Sequence, residues 1–199
     1  MSKLDVHFSS KSIEWGTPDN VLDLVRASGY DLQIDVCATP GREKCSKYFG
    51  PPEDQIARVK NEETGAIEVD PEAWERVIAS WKVNPPIAVN ALAQDWASFL
   101  AWSGGVAWMN PPFGRAISGW VAKAASEARR GACVVCLLPA RTDTAWWHDH
   151  VEPVRLGLFP GELVFWRGRI TFIDADGLAG DPAPFPCAIV VFDGRKLPR

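Results

Sequence analysis

Gly105-Val106-Ala107-Trp108-Met109-Asn110-Pro111-Pro112-Phe113 runs from an apolar segment straight into a stiff polar loop. The first five residues read as a short buried strand. Pro111 and Pro112 lock φ near about −65° and offer no backbone N–H, and each holds the residue before it extended. The carbonyls of Asn110 and Pro111 therefore project without helical or ladder partners. With the carboxamide oxygen of Asn110 and the flat face of Phe113, the loop sets oxygen acceptors beside an aromatic platform at the carboxyl end of a strand. Such a loop suits one task well: gripping an exocyclic amino group on a planar base while the ring stacks.

The chemistry explains the residue types. An aromatic amine is a poor nucleophile because its lone pair is delocalised into the ring. Hydrogen bonds from its two N–H groups to fixed acceptors favour a pyramidal nitrogen and stabilise the positive charge that develops as it attacks. No strong base is needed if the electrophile is a sulfonium methyl. A base inside a duplex must be flipped out to reach such a pocket. The competing reading is a proline-stiffened turn, and Asn84-Pro85-Pro86-Ile87 is an internal control for it. That second copy lacks the aromatic and leads into an apolar segment, so it reads as structural.

Outward from this stretch, residues 117–130 read as a helix with Ile117, Trp120, Val121 and Ala124 inward, and with Lys123, Arg129 and Arg130 outward. Residues 132–138 form a continuous apolar run, the pattern of a fully buried parallel strand. Its Cys133 and Cys136 lie three apart, on opposite faces of a strand, which argues against a redox or zinc pair. Upstream, Thr17 as N-cap and Pro18 at the first position open a helix with Val21, Leu22, Leu24 and Val25 as its apolar face and Gly29 at its end. Its amino end would offer a carboxylate a seat. Asp31-Leu32-Gln33-Ile34-Asp35-Val36-Cys37-Ala38 alternates as a strand. Asp35 at its end would reach a ribose hydroxyl or an ammonium in the crevice outside the strand ends. No Gly-x-Gly-x-x-Gly occurs, so a conventional dinucleotide site has no support.

Residues 55–88 read as an acidic insertion carrying one helix, capped by Asp70 with Pro71 first and striped by Trp74, Val77, Ile78 and Trp81. Residues 87–90 read as a short strand, with further strands at 154–159, 163–166, 170–173 and 187–192 and a loop over 178–186. Strand–helix alternation giving way to strands implies a mostly parallel sheet with an antiparallel edge.

Length and composition bound the class. A chain of 199 residues, 47% hydrophobic, has room for one domain with a real core. Its polar start and lack of a long apolar run argue against a signal peptide or membrane span. An odd number of cysteines, mostly in apolar runs, reads as a reduced cytoplasmic protein. The net charge of −4 argues against bulk non-specific binding to nucleic acid. Between Glu53 and Arg76, however, eight acids face three bases, so the remainder is about neutral and leaves room for a basic face. Most of the ten tryptophans, Trp74, Trp120 and Trp146 among them, sit at helical apolar spacing and read as core. His7, His148 and His150 form no metal-ligand spacing with the cysteines, and no metal is expected.

The pieces together resemble the phage-type DNA N-6-adenine methyltransferases, a family also found in bacterial prophages. The resemblance is carried by Glu14-Trp15-Gly16-Thr17-Pro18, Asp35-Val36-Cys37-Ala38-Thr39-Pro40, residues 45–49, residues 91–96, residues 108–113 and residues 120–124. It continues through Leu137-Leu138-Pro139-Ala140-Arg141-Thr142-Asp143-Thr144, Trp146-Trp147-His148, Gly168-Arg169-Ile170-Thr171-Phe172 and Pro184-Phe185-Pro186-Cys187-Ala188. It implies an α/β, Rossmann-like methyltransferase fold that uses S-adenosylmethionine on double-stranded DNA in the cytoplasm of a bacterial host. Asn110, Pro111, Pro112 and Phe113 would form the catalytic loop. Trp15, Thr17, Pro18, Asp35, Cys37 and Ala38 would line the cofactor site, with Asn90 and Asp95 nearby. Arg115, Lys123, Arg141 and Arg169 would touch DNA. Phe113 stands where the family more often has Tyr, and Asn90 where an acid is expected. The same grip would serve cytosine N4 or a protein glutamine amide, and a non-catalytic DNA- or host-factor-binding module could keep the fold.

Overall fold

The computed structural model describes residues 16–39, 41–52, 58–60, 66–173 and 177–198. Its elements, in chain order, are α1 (Asp19–Ala27), β1 (Leu32–Asp35), β2 (Lys47–Gly50), β3 (Arg58–Lys60), β4 (Ile67–Val69), α2 (Pro71–Val83) and β5 (Ala88–Val89). They continue with α3 (Trp96–Ser103), β6 (Val106–Met109), α4 (Ile117–Arg129), β7 (Cys133–Pro139), α5 (Glu152–Arg155), β8 (Gly161–Phe165), β9 (Thr171–Ile173), β10 (Ala179–Pro182) and β11 (Cys187–Asp193).

Seven strands form one sheet in the order β5-β2-β1-β6-β7-β11-β8. β5, β2, β1, β6 and β7 are mutually parallel, and β11 runs antiparallel to both β7 and β8. This is the mostly parallel sheet expected, with one refinement. The reversed strand lies one place in from the edge, and β8 beyond it runs with the others. Chain order turns around between β1 and β6: β2 and β5 build outward from one, β7 from the other. A crevice opens at such a reversal, outside the carboxyl ends of the strands.

The sheet is covered on both faces. Alternate strand residues Ile34, Ala107, Met109, Val134 and Cys136 face α3 and α4 through Trp96, Leu100, Ile117, Val121 and Ala124. The intervening Leu32, Val106, Trp108, Cys133 and Val135 face α1 through Val21, Leu22 and Val25. Cys133 and Cys136 therefore lie in different halves of the core, as their spacing requires. Leu24, expected on the apolar face of α1, is about half exposed.

The acidic segment holds more than its one expected helix. β3 and β4 pair as an antiparallel hairpin. The Asp70 side chain caps α2 through the N–H groups of Glu72 and Ala73. α2 buries no side chain fully, so Trp74 is not core. The segment is anchored where the Tyr48 hydroxyl donates to the Asn84 carbonyl (2.7 Å) and Asn84 Nδ2 donates to Glu43 Oε1. Asn84, in the second Asn-Pro-Pro copy, thus has the structural role read from sequence.

Two other expectations change. Residues 154–159 are not a strand: a π-helical turn at Trp147–Val151 runs into α5, and turns follow. Val154, Leu156 and Leu158 mimic strand alternation, but Pro153 at the start of α5 fits a helix. The loop expected over 178–186 contains β10, which pairs with β9 as a separate ribbon. Among the described residues no helix is long and apolar enough to cross a membrane.

Candidate active site

β6 is buried along its whole length, and its carboxyl end delivers Asn110 to the reversal point beside the end of β1, with Asp35 paired to Trp108 across the ladder. Pro111 is buried and Pro112 exposed. Among the described residues no backbone N–H donates to the Pro111 carbonyl. Phe113 is half-buried, its ring near a right angle to Phe172 and to Phe185, with centroids 5.7 Å away in each case. These two aromatics, from β9 and the segment before β11, steady the platform. Sequence reasoning missed both roles, although both residues lie in segments that carry the family resemblance.

Asn110 is held on two sides. Its backbone N–H faces the Cys37 thiol at the start of the loop after β1. Its side-chain Nδ2 donates to Thr17 Oγ1 at 3.0 Å, and the planarity of the amide turns the carboxamide oxygen the other way. Thr17 is buried and does not cap α1 as expected. The helix begins at Asp19, the cap position falls to Pro18, and no side chain caps it. Thr17 and Pro18 nonetheless bring the amino end of α1 to the crevice. Trp15, expected beside them, lies outside the described residues.

Asp35 is buried, and its two carboxylate oxygens accept from the N–H groups of Cys37 and Lys44, both at 3.0 Å. In this position it shapes the loop over residues 36–44, including Cys37 and Ala38, and both its oxygens are engaged within the chain. Burial pushes its carboxyl up to about 6, although the two N–H groups pull it back down. The folded state therefore holds this proton more tightly than the unfolded chain, whose carboxyl sits near 3.8. The resulting stabilisation is complete below the unfolded value and is lost as pH rises through about 6. Asp35→Asn removes this titration. The difference in Tm between wild type and Asp35→Asn should shift against the wild type from pH 4 to pH 6, and parallel Tm–pH curves would contradict the assignment.

The other expected residues divide. Asn90 stands exposed at the carboxyl end of β5, in the left-handed region (φ 57°) that asparagine tolerates. It shares the crevice edge with Asn110 but lies beyond β2 and β1. Asp95 is not brought to the site. It caps α3 through the Ser98 N–H and pairs with Arg130, just past the far end of α4. Lys123, expected on DNA, is turned inward: Nζ donates to the Gln94 carbonyl (2.7 Å), pairs with buried Glu127 and lies over the Trp96 ring. Arg115, Arg141 and Arg169, with Arg167, are exposed on the loops at the carboxyl ends of β6, β7 and β8, and so form a basic rim around the crevice.

No protein of curated function matches the chain. Among solved structures, precorrin 8W decarboxylase of Methanobacterium thermoautotrophicum is 13% identical over 88% of this chain and 90% of that one, with TM-score 0.41. A methyltransferase from Pyrococcus furiosus is 12% identical over 86% and 81%, TM-score 0.38. An rRNA methylase from Streptococcus thermophilus is 12% identical over 82% and 88%, TM-score 0.35. These likenesses are distant and add nothing to the site. The family model described as DNA N-6-adenine-methyltransferase (Dam) matches residues 84–199, from the end of α2 through the Asn-Pro-Pro-Phe loop to the chain end. The chain belongs to the DNA N-6-adenine-methyltransferase (Dam) family.

Proposed function

We propose that this protein transfers a methyl group from S-adenosylmethionine to the N6 amino group of an adenine flipped out of double-stranded DNA. The observation that carries the reading is Asn110-Pro111-Pro112-Phe113 at the carboxyl end of β6, beside the chain reversal, with the Asn110 carboxamide fixed by Thr17. Phe113 offers its ring to the flipped base. The Asn110 side-chain oxygen and the Pro111 carbonyl accept hydrogen bonds from the two amino N–H groups, drawing the nitrogen lone pair out of the ring for attack.

The chain fits the cofactor. First-turn N–H groups of a helix lack intrahelical acceptors, and the amino end of α1 lies by Asn110, where it suits a carboxylate. The amino end of α1, reached through Pro18, would hold the amino-acid end, and Cys37, Ala38 and Asn90 would line the rest. S-adenosylmethionine would supply an electrophilic sulfonium methyl. Asp35 contributes by fixing the loop that carries Cys37 and Ala38.

The test is transfer of labelled methyl to unmethylated duplex DNA, followed by nucleoside analysis. Label in N6-methyladenosine is expected. Label in N4-methylcytosine would keep the loop chemistry and correct the base, label in protein would move the substrate to a glutamine amide, and failure to bind S-adenosylmethionine would leave a binding module.

The basic rim makes its own prediction. Removing one cation that neutralises a phosphate should reduce the slope of log K against log salt by about 0.9. Arg141→Ala and Arg169→Ala should each flatten the slope by roughly that amount, whereas Lys123→Ala should leave it unchanged. Equal slopes in all variants, measured by DNA titration at several salt concentrations, would remove the rim from the interface.

A further inference from the structure

We propose that Thr17 is a positioning residue that holds the Asn110 carboxamide in place at the site; this rests on the reading of Asn110 as an acceptor for the amino group. A carboxamide has two ends of nearly equal shape and opposite function, one accepting and one donating. Rotation about its terminal torsion is broad and roughly two-fold. A carboxamide free to rotate would spend part of its time turned away from the amino group.

Thr17 tethers one end of the carboxamide. Its Oγ1 accepts from Asn110 Nδ2 at 3.0 Å across 93 residues of chain. Thr17 is 2% exposed, so the hydrogen bond is shielded from water. The hydroxyl is not engaged as a helix cap, because no side chain caps α1.

Thr17 is itself held from both directions. On one side Gly16 and Ile173 exchange both backbone hydrogen bonds, at 2.9 and 2.8 Å, tying the segment to β9. A Cβ at Gly16 would lie 2.8 Å from the Ile173 carbonyl oxygen, so only glycine permits this approach. On the other side Pro18, with φ −73°, leads directly into α1. The ribbon that supplies Phe172 to the aromatic platform thus also anchors the residue that orients Asn110.

Thr17→Val removes the hydroxyl at nearly constant volume, and Thr17→Ser keeps it. For Thr17→Val, kcat for methyl transfer to DNA is expected to fall about 10²-fold, the order of loss when a catalytic group is slightly misplaced. Thr17→Ser should stay within about threefold of wild type, and both should bind S-adenosylmethionine, measured by calorimetry, within about twofold of wild type. In 15N–1H spectra the Asn110 side-chain amide pair, identified by its loss in Asn110→Ala, should move in Thr17→Val and stay in place in Thr17→Ser. Gly16→Ala, which keeps the hydroxyl but displaces the segment, should move the same pair.

An unmoved amide pair in Thr17→Val would overturn the hydrogen bond. Undiminished turnover in that variant would overturn the positioning role, as would weakened cofactor binding at full kcat, which would make Thr17 a cofactor ligand. Absence of methyl transfer by the wild-type protein would instead overturn the reading of the site, a separate failure because the amide resonances do not depend on turnover.

Discussion

Asn110→Ala is expected to lower kcat by about 10²–10³-fold, the loss found when one preorganised transition-state interaction is removed. S-adenosylmethionine affinity should stay nearly unchanged. The amino group of the base carries little charge before attack and a developing positive charge during it. An acceptor fixed in place therefore binds the transition state better than the ground state, and its removal falls on kcat. The fold argues that the loss is local. Asn110 follows a fully buried strand and precedes two prolines, so truncating its side chain leaves the backbone of the loop braced. Asn110→Asp keeps acceptor oxygens but loses the donor that meets Thr17, and its turnover should fall between wild type and alanine. Asn84→Ala is the matched control. Asn84 sits in the other Asn-Pro-Pro copy and ties the end of α2 to Glu43, so its loss should lower Tm with kcat intact. Steady-state kinetics with cofactor calorimetry separates these outcomes, and an unchanged kcat in Asn110→Ala would end the mechanism.

What could be read from sequence follows the range of the forces involved. The β6–loop–α4 unit was legible because a short apolar run, two prolines and a helical stripe are local signals, and all three agree. The Asp70 cap and Pro71 start of α2 were legible for the same reason. The hydrogen bond between Asn110 and Thr17 was not, because sequence places the two far apart and Thr17 looks like an ordinary helix cap. Asp95 and Lys123 misled in a related way. Each is the residue type a site would use, but Asp95 caps α3 beside Arg130, and Lys123 folds back over Trp96 toward Glu127. The alternation of Val154, Leu156 and Leu158 imitated a strand because period-two patterning over a few residues also arises in a helix end followed by turns. The position of β11 inside the sheet depends on pairing partners, which no single segment encodes.

Glu127→Ala is expected to destabilise the fold by about 3–5 kcal/mol, the range for removing one partner of a buried ion pair. For a chain of this size that lowers Tm by roughly 10 °C. Glu127 is 1% exposed on the inner face of α4. One carboxylate oxygen accepts the Ala97 N–H at 2.8 Å in the first turn of α3, and the other pairs with Lys123 Nζ at 2.5 Å. The side chain thus joins two helices that cover the same face of the sheet. Its loss leaves Lys123, whose side chain is 20% exposed, without its counter-charge, and leaves a helix N–H without an acceptor. Because the penalty comes from the stranded cation more than from the missing attraction, removing both charges should cost less than removing one. Lys123→Met combined with Glu127→Leu should recover much of the Tm, measured by thermal unfolding followed by circular dichroism. A double variant no more stable than Glu127→Ala would show that packing, not the stranded charge, sets the loss. Glu127 lies in the last turn of α4, at the opposite end from Asn110. Methyl transfer per folded molecule at a temperature well below the lowered Tm should therefore match wild type, which separates this residue, as a brace of the scaffold, from Thr17 and Asn110 at the site.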